Sequence, residues 1–72
     1  MNDFVITDAR FHFFNGKLKY TVDYCFGLRK WYVFKDDMQT HALFNKEDKK
    51  IKLKDINLFA AQQVLNDYLE TL

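Results

Sequence analysis

The sequence has no proline, only two glycines and a single cysteine in 72 residues. With Cys25 alone, no internal disulfide can form, and a lone thiol in a small domain fits a reducing compartment better than secretion. Gly16 and Gly27 stand eleven residues apart, which leaves no glycine-rich loop to cradle a phosphate. Repeats, linkers and low-complexity tracts are missing too, so the composition is not that of a disordered chain. No apolar run approaches the roughly 20 residues of a membrane span. The acidic Met1-Asn2-Asp3 start and the polar break at Thr7-Asp8 do not fit a secretory leader. These features predict a cytoplasmic protein.

Chemistry-bearing sets are also scarce. His12 and His41 are the only histidines and lack the spacing of a zinc helix. Cys25 would need a neighbouring base to act as a nucleophile, and the predicted pairing sets it opposite Ile6, away from His12. Asp36-Asp37 reads as a solvated turn rather than a cation site. A chain this short has little room for the supporting shell of a preorganised site. The sequence therefore predicts no catalytic residues, no metal and no cofactor, hence a non-enzyme.

What is abundant is aromatic side chain, 18% of the residues, with eight phenylalanines. A domain of this size buries only about 60% of its unfolded surface. Large rings bury much area per residue, so most of them are expected to be compensation for a tiny core. Net charge is +1, but its distribution is uneven. Residues 10–35 carry Arg10, Lys17, Lys19, Arg29, Lys30 and Lys35 against Asp23 alone. Lys46, Lys49, Lys50, Lys52 and Lys54 face only Glu47 and Asp48, and the C-terminal segment is acidic.

Leu18, Tyr20, Val22, Tyr24 and Phe26 alternate with Lys17, Lys19, Thr21, Asp23 and Cys25, the period of a strand with one apolar face. Asn15-Gly16 before it suits a type I′ hairpin turn. That turn predicts Phe14 opposite Lys17, Phe13 opposite Leu18, Phe11 opposite Tyr20 and Ala9 opposite Val22, with Thr7–Tyr24 and Val5–Phe26 beyond. The opposite face then carries Phe4, Ile6, Asp8, Arg10, His12 and Phe14 on the first strand. A type II′ turn at Gly27-Leu28 predicts Tyr24 opposite Trp31 and Val22 opposite Val33. Asp36-Asp37 reads as a third turn into a strand near Thr40–Phe44. Residues 45–50 read as turn, and Ile51–Leu53 as a short fifth strand.

Leu58, Ala61, Leu65, Tyr68, Leu69 and Leu72 recur at helical spacing, with Val64 beside them and Asp55 or Asn57 as N-cap. The expected fold is a single α+β domain over 1–72. It has an antiparallel meander of four or five strands (about 3–54) and one C-terminal helix (about 56–71) on one face. Leu58, Leu65 and Leu69 are the predicted helix contacts with the apolar sheet face.

One helix leaves the other sheet face uncovered, and that face mixes rings with cations. Arg10, His12, Phe14, Lys17, Lys19, Lys30, Tyr32 and Phe34 are the predicted partner-binding residues. The favoured expectation is a small protein-binding module that blocks a host protein by steric occlusion. Phages and mobile elements encode inhibitors of this kind, and the host cytoplasm would then be its location. A homodimer would relieve the thin stability margin. The alternative is a single-stranded nucleic-acid-binding protein, with bases stacking on the rings and cations tracking phosphates. If Leu28, Met38 or residues 45–54 cover Phe14, Tyr32 and Phe34, no such face exists. The lysine run at 46–54 is expected to be a solvated loop able to attract acidic protein or phosphate.

Overall fold

A computed structural model describes residues 9–36 and 40–72. Four strands, β1 (Ala9–Asn15), β2 (Leu18–Cys25), β3 (Lys30–Lys35) and β4 (Phe44–Glu47), are followed by a short 3-10 turn (Leu53–Asp55) and a helix, α1 (Leu58–Leu69). The strands form one open antiparallel sheet in the order β1-β2-β3-β4. With α1 packed on it, the architecture is the expected α+β fold.

The first hairpin turns one residue later than Asn15-Gly16. Asn15 pairs with Leu18, Phe13 with Tyr20, Phe11 with Val22 and Ala9 with Tyr24, so Gly16 and Lys17 are the two turn residues. Gly16 has φ 67°, while Lys17 does not enter the positive-φ region. One positive φ at the first central position is the pattern of a type II′ turn, and glycine supplies it without strain. A type I′ turn would have forced Asn15 into the left-handed region as well. The register moves by two residues, and an even shift leaves every side chain on its predicted face. It also carries Leu18 to the sheet's end, where it is 43% exposed. The predicted pairs at Thr7 and Val5, and the placement of Phe4, Ile6 and Asp8, lie outside the described residues.

The second hairpin has the predicted pairs, Tyr24 with Trp31 and Val22 with Val33. Its loop is longer than a Gly27-Leu28 turn, because Cys25–Lys30 is the last pair. Arg29 takes the left-handed conformation at φ 56°, and its N–H donates to the Cys25 carbonyl at 2.8 Å. Gly27 has no positive φ.

The third connection begins as expected at Asp36 (φ 55°), whose N–H donates to the Lys19 carbonyl at 2.7 Å. Asp37 and Met38 lie outside the described residues. The fourth strand is Phe44–Glu47 rather than Thr40–Phe44. Pairing Phe44 with Val33 sets its ring on the core side, 5.9 Å from that of Tyr68. An edge strand has one face and one edge in water, so the polar Asn45-Lys46-Glu47 is compatible with it. The predicted fifth strand at Ile51–Leu53 is not formed. Residues 48–56 instead cross on the helix side, where Ile51 and Ile56 pack against the core.

Phe13, Tyr20, Val22, Tyr24, Trp31 and Val33 from the sheet and Ala61, Val64 and Leu65 from α1 form that core. Asn57 caps the helix, its side chain accepting from the Ala60 N–H at 3.0 Å. Leu65 and Leu69 contact the sheet as expected, but Leu58 is 58% exposed. Ala61, one turn later, is the first helix residue to be buried.

Asp48 ties the crossing segment to the core. Its carboxylate accepts from the buried Trp31 indole at 3.2 Å, and its carbonyl accepts from the Tyr24 hydroxyl at 2.8 Å. Its N–H donates to the Arg29 carbonyl at 2.9 Å, and the Arg29 guanidinium donates to the Lys49 carbonyl at 3.0 Å. Buried ring donors need such acceptors, because an unpaired polar group inside costs about 1–3 kcal/mol.

Candidate functional site

Side chains of even number on β1, β3 and residues of odd number on β2 and β4 point to the sheet face opposite α1. Cross-strand pairing arranges them in rungs. Phe14 lies beside Lys19. His12, Thr21 and Phe34 form the next rung. Arg10, Asp23, Tyr32 and Asn45 follow, then Cys25, Lys30 and Glu47.

Seven of the eight predicted contact residues therefore share one surface: Arg10, His12, Phe14, Lys19, Lys30, Tyr32 and Phe34. Lys17 does not join them. It occupies the tight turn beyond the last rung, a consequence of the two-residue register change. Phe14 is 74% exposed, whereas Tyr32 and Phe34 are half-buried. The latter two rings stack along β3 with centroids 6.2 Å apart and planes 26° from parallel. Of the covers the sequence left open, Leu28 lies exposed at a hairpin tip and Met38 is outside the described residues; of residues 45–54, Asn45 and Glu47 stand beside Tyr32 and Lys30 on this face, while the chain from 48 onward runs on the helix side.

The centre of this face is polar and tightly held. Asp23 is 8% exposed and receives the Arg10 Nε–H at 3.1 Å. Burial pushes the Asp23 carboxyl above its ordinary range; the hydrogen bond and charge of Arg10, and the charge of His12, pull it back. Thr21 is fully buried, its hydroxyl donating to the Asp36 carbonyl at 2.6 Å, with His12 Nδ1 3.2 Å away. This surface thus combines a pair of stacked rings with an engaged ion pair.

Among the described residues, no three His, Cys, Asp or Glu side chains converge as metal ligands. Cys25 lies opposite Lys30, two rungs from His12. On the helix side, a cleft of about 320 Å³ lies between Tyr24, Arg29, Ile51 and Ile56. A second, of about 390 Å³, lies between Trp31, Lys46, Ile51 and Phe59. Leu53 and Phe59 are exposed beside them and were not singled out from sequence, although Phe59 falls outside the buried helical stripe. In the lysine run, Lys46 pairs with Asp67 at 2.7 Å and Lys49 with Glu47 at 3.5 Å, while Lys50, Lys52 and Lys54 are exposed. No described helix is long and apolar enough to cross a membrane. Comparison with protein-family profiles, characterised proteins and solved structures finds no match.

Proposed function

We propose that this chain is a non-enzymatic protein-binding module that uses its helix-free sheet face to occlude a partner protein. The observation that supports this most is the stacked Tyr32–Phe34 pair on that face, flanked by Phe14, Arg10 and Lys30. Aromatic and arginine side chains dominate interface energetics, and a half-buried stacked pair loses little freedom on binding. An inhibitor encoded by a phage or mobile element, acting in the host cytoplasm, is the setting in which so small a binding domain would serve.

The same face is a weaker match for single-stranded nucleic acid. Arg10 already serves Asp23, and the Asp23 and Glu47 carboxylates lie among the rungs that would track phosphates. Tyr32 and Phe34 also stack on each other rather than standing apart for a base.

Affinity capture from the native host, followed by mass spectrometry, identifies the partner. Replacing Tyr32→Ser and Phe34→Ser together should abolish its capture with the circular dichroism spectrum intact. Leu53→Ser with Phe59→Ser, on the helix side, should leave it. Retained binding by the first double variant refutes the assignment of this face. Binding to labelled oligonucleotides that weakens steeply with salt would favour nucleic acid instead.

A further inference from the structure

Among the described residues, β1 and β4 are the edge strands of the sheet, and they are not alike. β4 is four residues long and carries Lys46 and Glu47, two of the devices by which proteins discourage further strand pairing. β1 runs for seven residues, Ala9–Asn15, with no proline and an unbroken ladder to β2, and its one charged side chain, Arg10, is drawn to Asp23 on the sheet face. Three of its residues are phenylalanine.

The orientation of its main-chain groups follows from the neighbouring strands. The Lys19 carbonyl accepts from Asp36 N–H, on the β3 side of β2. The Phe14–Lys19 pair is then one of the non-hydrogen-bonded pairs of the β1–β2 ladder, so the Phe14 N–H and C=O point out of the sheet. Alternation along an antiparallel ladder gives His12 and Arg10 the same outward direction.

We infer that β1 pairs antiparallel with β1 of a second copy, about a two-fold axis at His12, to make one continuous sheet across a homodimer. The register is dictated by the outward groups. Pairing Arg10 with Phe14 of the second copy and His12 with His12 of the second copy matches outward groups with outward groups over the whole strand. A shift by one residue sets them against inward-pointing groups, and a shift by two leaves outward groups unpaired at both ends. In this register Phe11 lies opposite Phe13 of the second copy on the core side, an aromatic cross-strand pair. On the other side the Arg10 guanidinium lies beside the exposed ring of Phe14 of the second copy, within reach of a cation–π contact. Both helices fall on the same side of the joined sheet, and the Tyr32–Phe34 face is duplicated rather than covered. A self-matching interface is what two-fold symmetry requires.

A join through one strand per copy is small, so the dimer is concentration-dependent. Light scattering on the intact chain should show the mass rising from the 8.7 kDa protomer towards twice that value as concentration increases. His12→Pro removes an outward donor at an edge position that tolerates proline, and should hold the protein at protomer mass. If that variant loses its circular dichroism spectrum, Phe14→Lys, at an exposed site, provides the same test. In a Cys25→Ser background, His12→Cys should cross-link to itself under mild oxidation, because facing Cα atoms about 5.5 Å apart suit a disulfide. Asn15→Cys should not, since its counterpart lies about 20 Å away along the joined strands. Protomer mass at every concentration, a dimer that survives His12→Pro or Phe14→Lys in folded form, or cross-linking through Asn15→Cys in preference to His12→Cys would each overturn the inference.

Discussion

Replacing Asp48→Ala should loosen the crossing segment through a single lost acceptor. The Trp31 indole is buried, and its N–H donates to the Asp48 carboxylate at 3.2 Å. Leaving a buried donor unpaired costs about 1–3 kcal/mol. The distance is at the long end of N–H···O bonds, and half-buried Asp48 leaves water some access, which points to about 1–2 kcal/mol. The Tyr24 hydroxyl bond survives because its acceptor is the Asp48 main chain, held at 2.9 Å to Arg29. With a urea m-value of about 1 kcal/mol/M for so small a domain, the midpoint should fall by about 1–2 M. Asp48→Asn retains a carbonyl acceptor and should recover at least about half of the loss. Trp31 is the only tryptophan, so its fluorescence follows both unfolding and its own loss of shielding. A double-mutant cycle with Trp31→Phe, followed by circular dichroism, isolates the pair and should return a coupling above about 0.5 kcal/mol. A loss from Asp48→Ala below about 0.5 kcal/mol, or an equal loss in the Trp31→Phe background, would refute the assignment of Asp48 as the latch.

The two glycines should respond oppositely to alanine. Gly16→Ala, at φ 67°, should lose about 1–2 kcal/mol, while Gly27→Ala should be neutral or gain up to about 1 kcal/mol, both read by urea unfolding. Asp23 should make stability fall with rising pH. Burial raises its folded-state pKa above the unfolded value, so the folded protein binds more protons between the two, and this contribution is lost as pH rises through that window. Asp23→Asn removes the effect: wild type minus variant should be largest at the acid end, below the ordinary carboxylate value of 3.8, and shrink above it. A pH-independent difference, or one that grows with pH, would contradict the dominance of burial over the Arg10 pair.

Much of the sheet was legible because alternation is a property of the chain itself. Phe11, Phe13, Tyr20, Val22 and Tyr24 fall on the core face under either turn, since the two registers differ by an even number of residues. Trp31 and Val33 follow from pairing with Tyr24 and Val22. The turn type was not legible. Asn15-Gly16 favours one local geometry and Gly16-Lys17 another, and the difference moved Lys17 into the turn, off the face shared by the other seven candidate residues. Residues 40–53 were misassigned for a related reason. Polar residues at 45–47 look like a loop, yet they form an edge strand once Phe44 is drawn to Val33 and Tyr68. No local signal announces that a short polar segment will be the last rung of a sheet.

By itself, the sequence determined which side chains could form a core, that a capped helix would follow a meander, and that rings and cations would share the second sheet face. Periodicity encodes each of these through neighbours only a few residues away. Tertiary structure alone decided that Asp48 would meet Trp31 and Tyr24, that Asp23 would be buried against Arg10, and that the backbone groups of Arg10, His12 and Phe14 would point away from β2. Those outcomes depend on register and on contacts across 13 to 24 residues of chain, where hydrogen-bond satisfaction selects among arrangements that local propensity leaves equal.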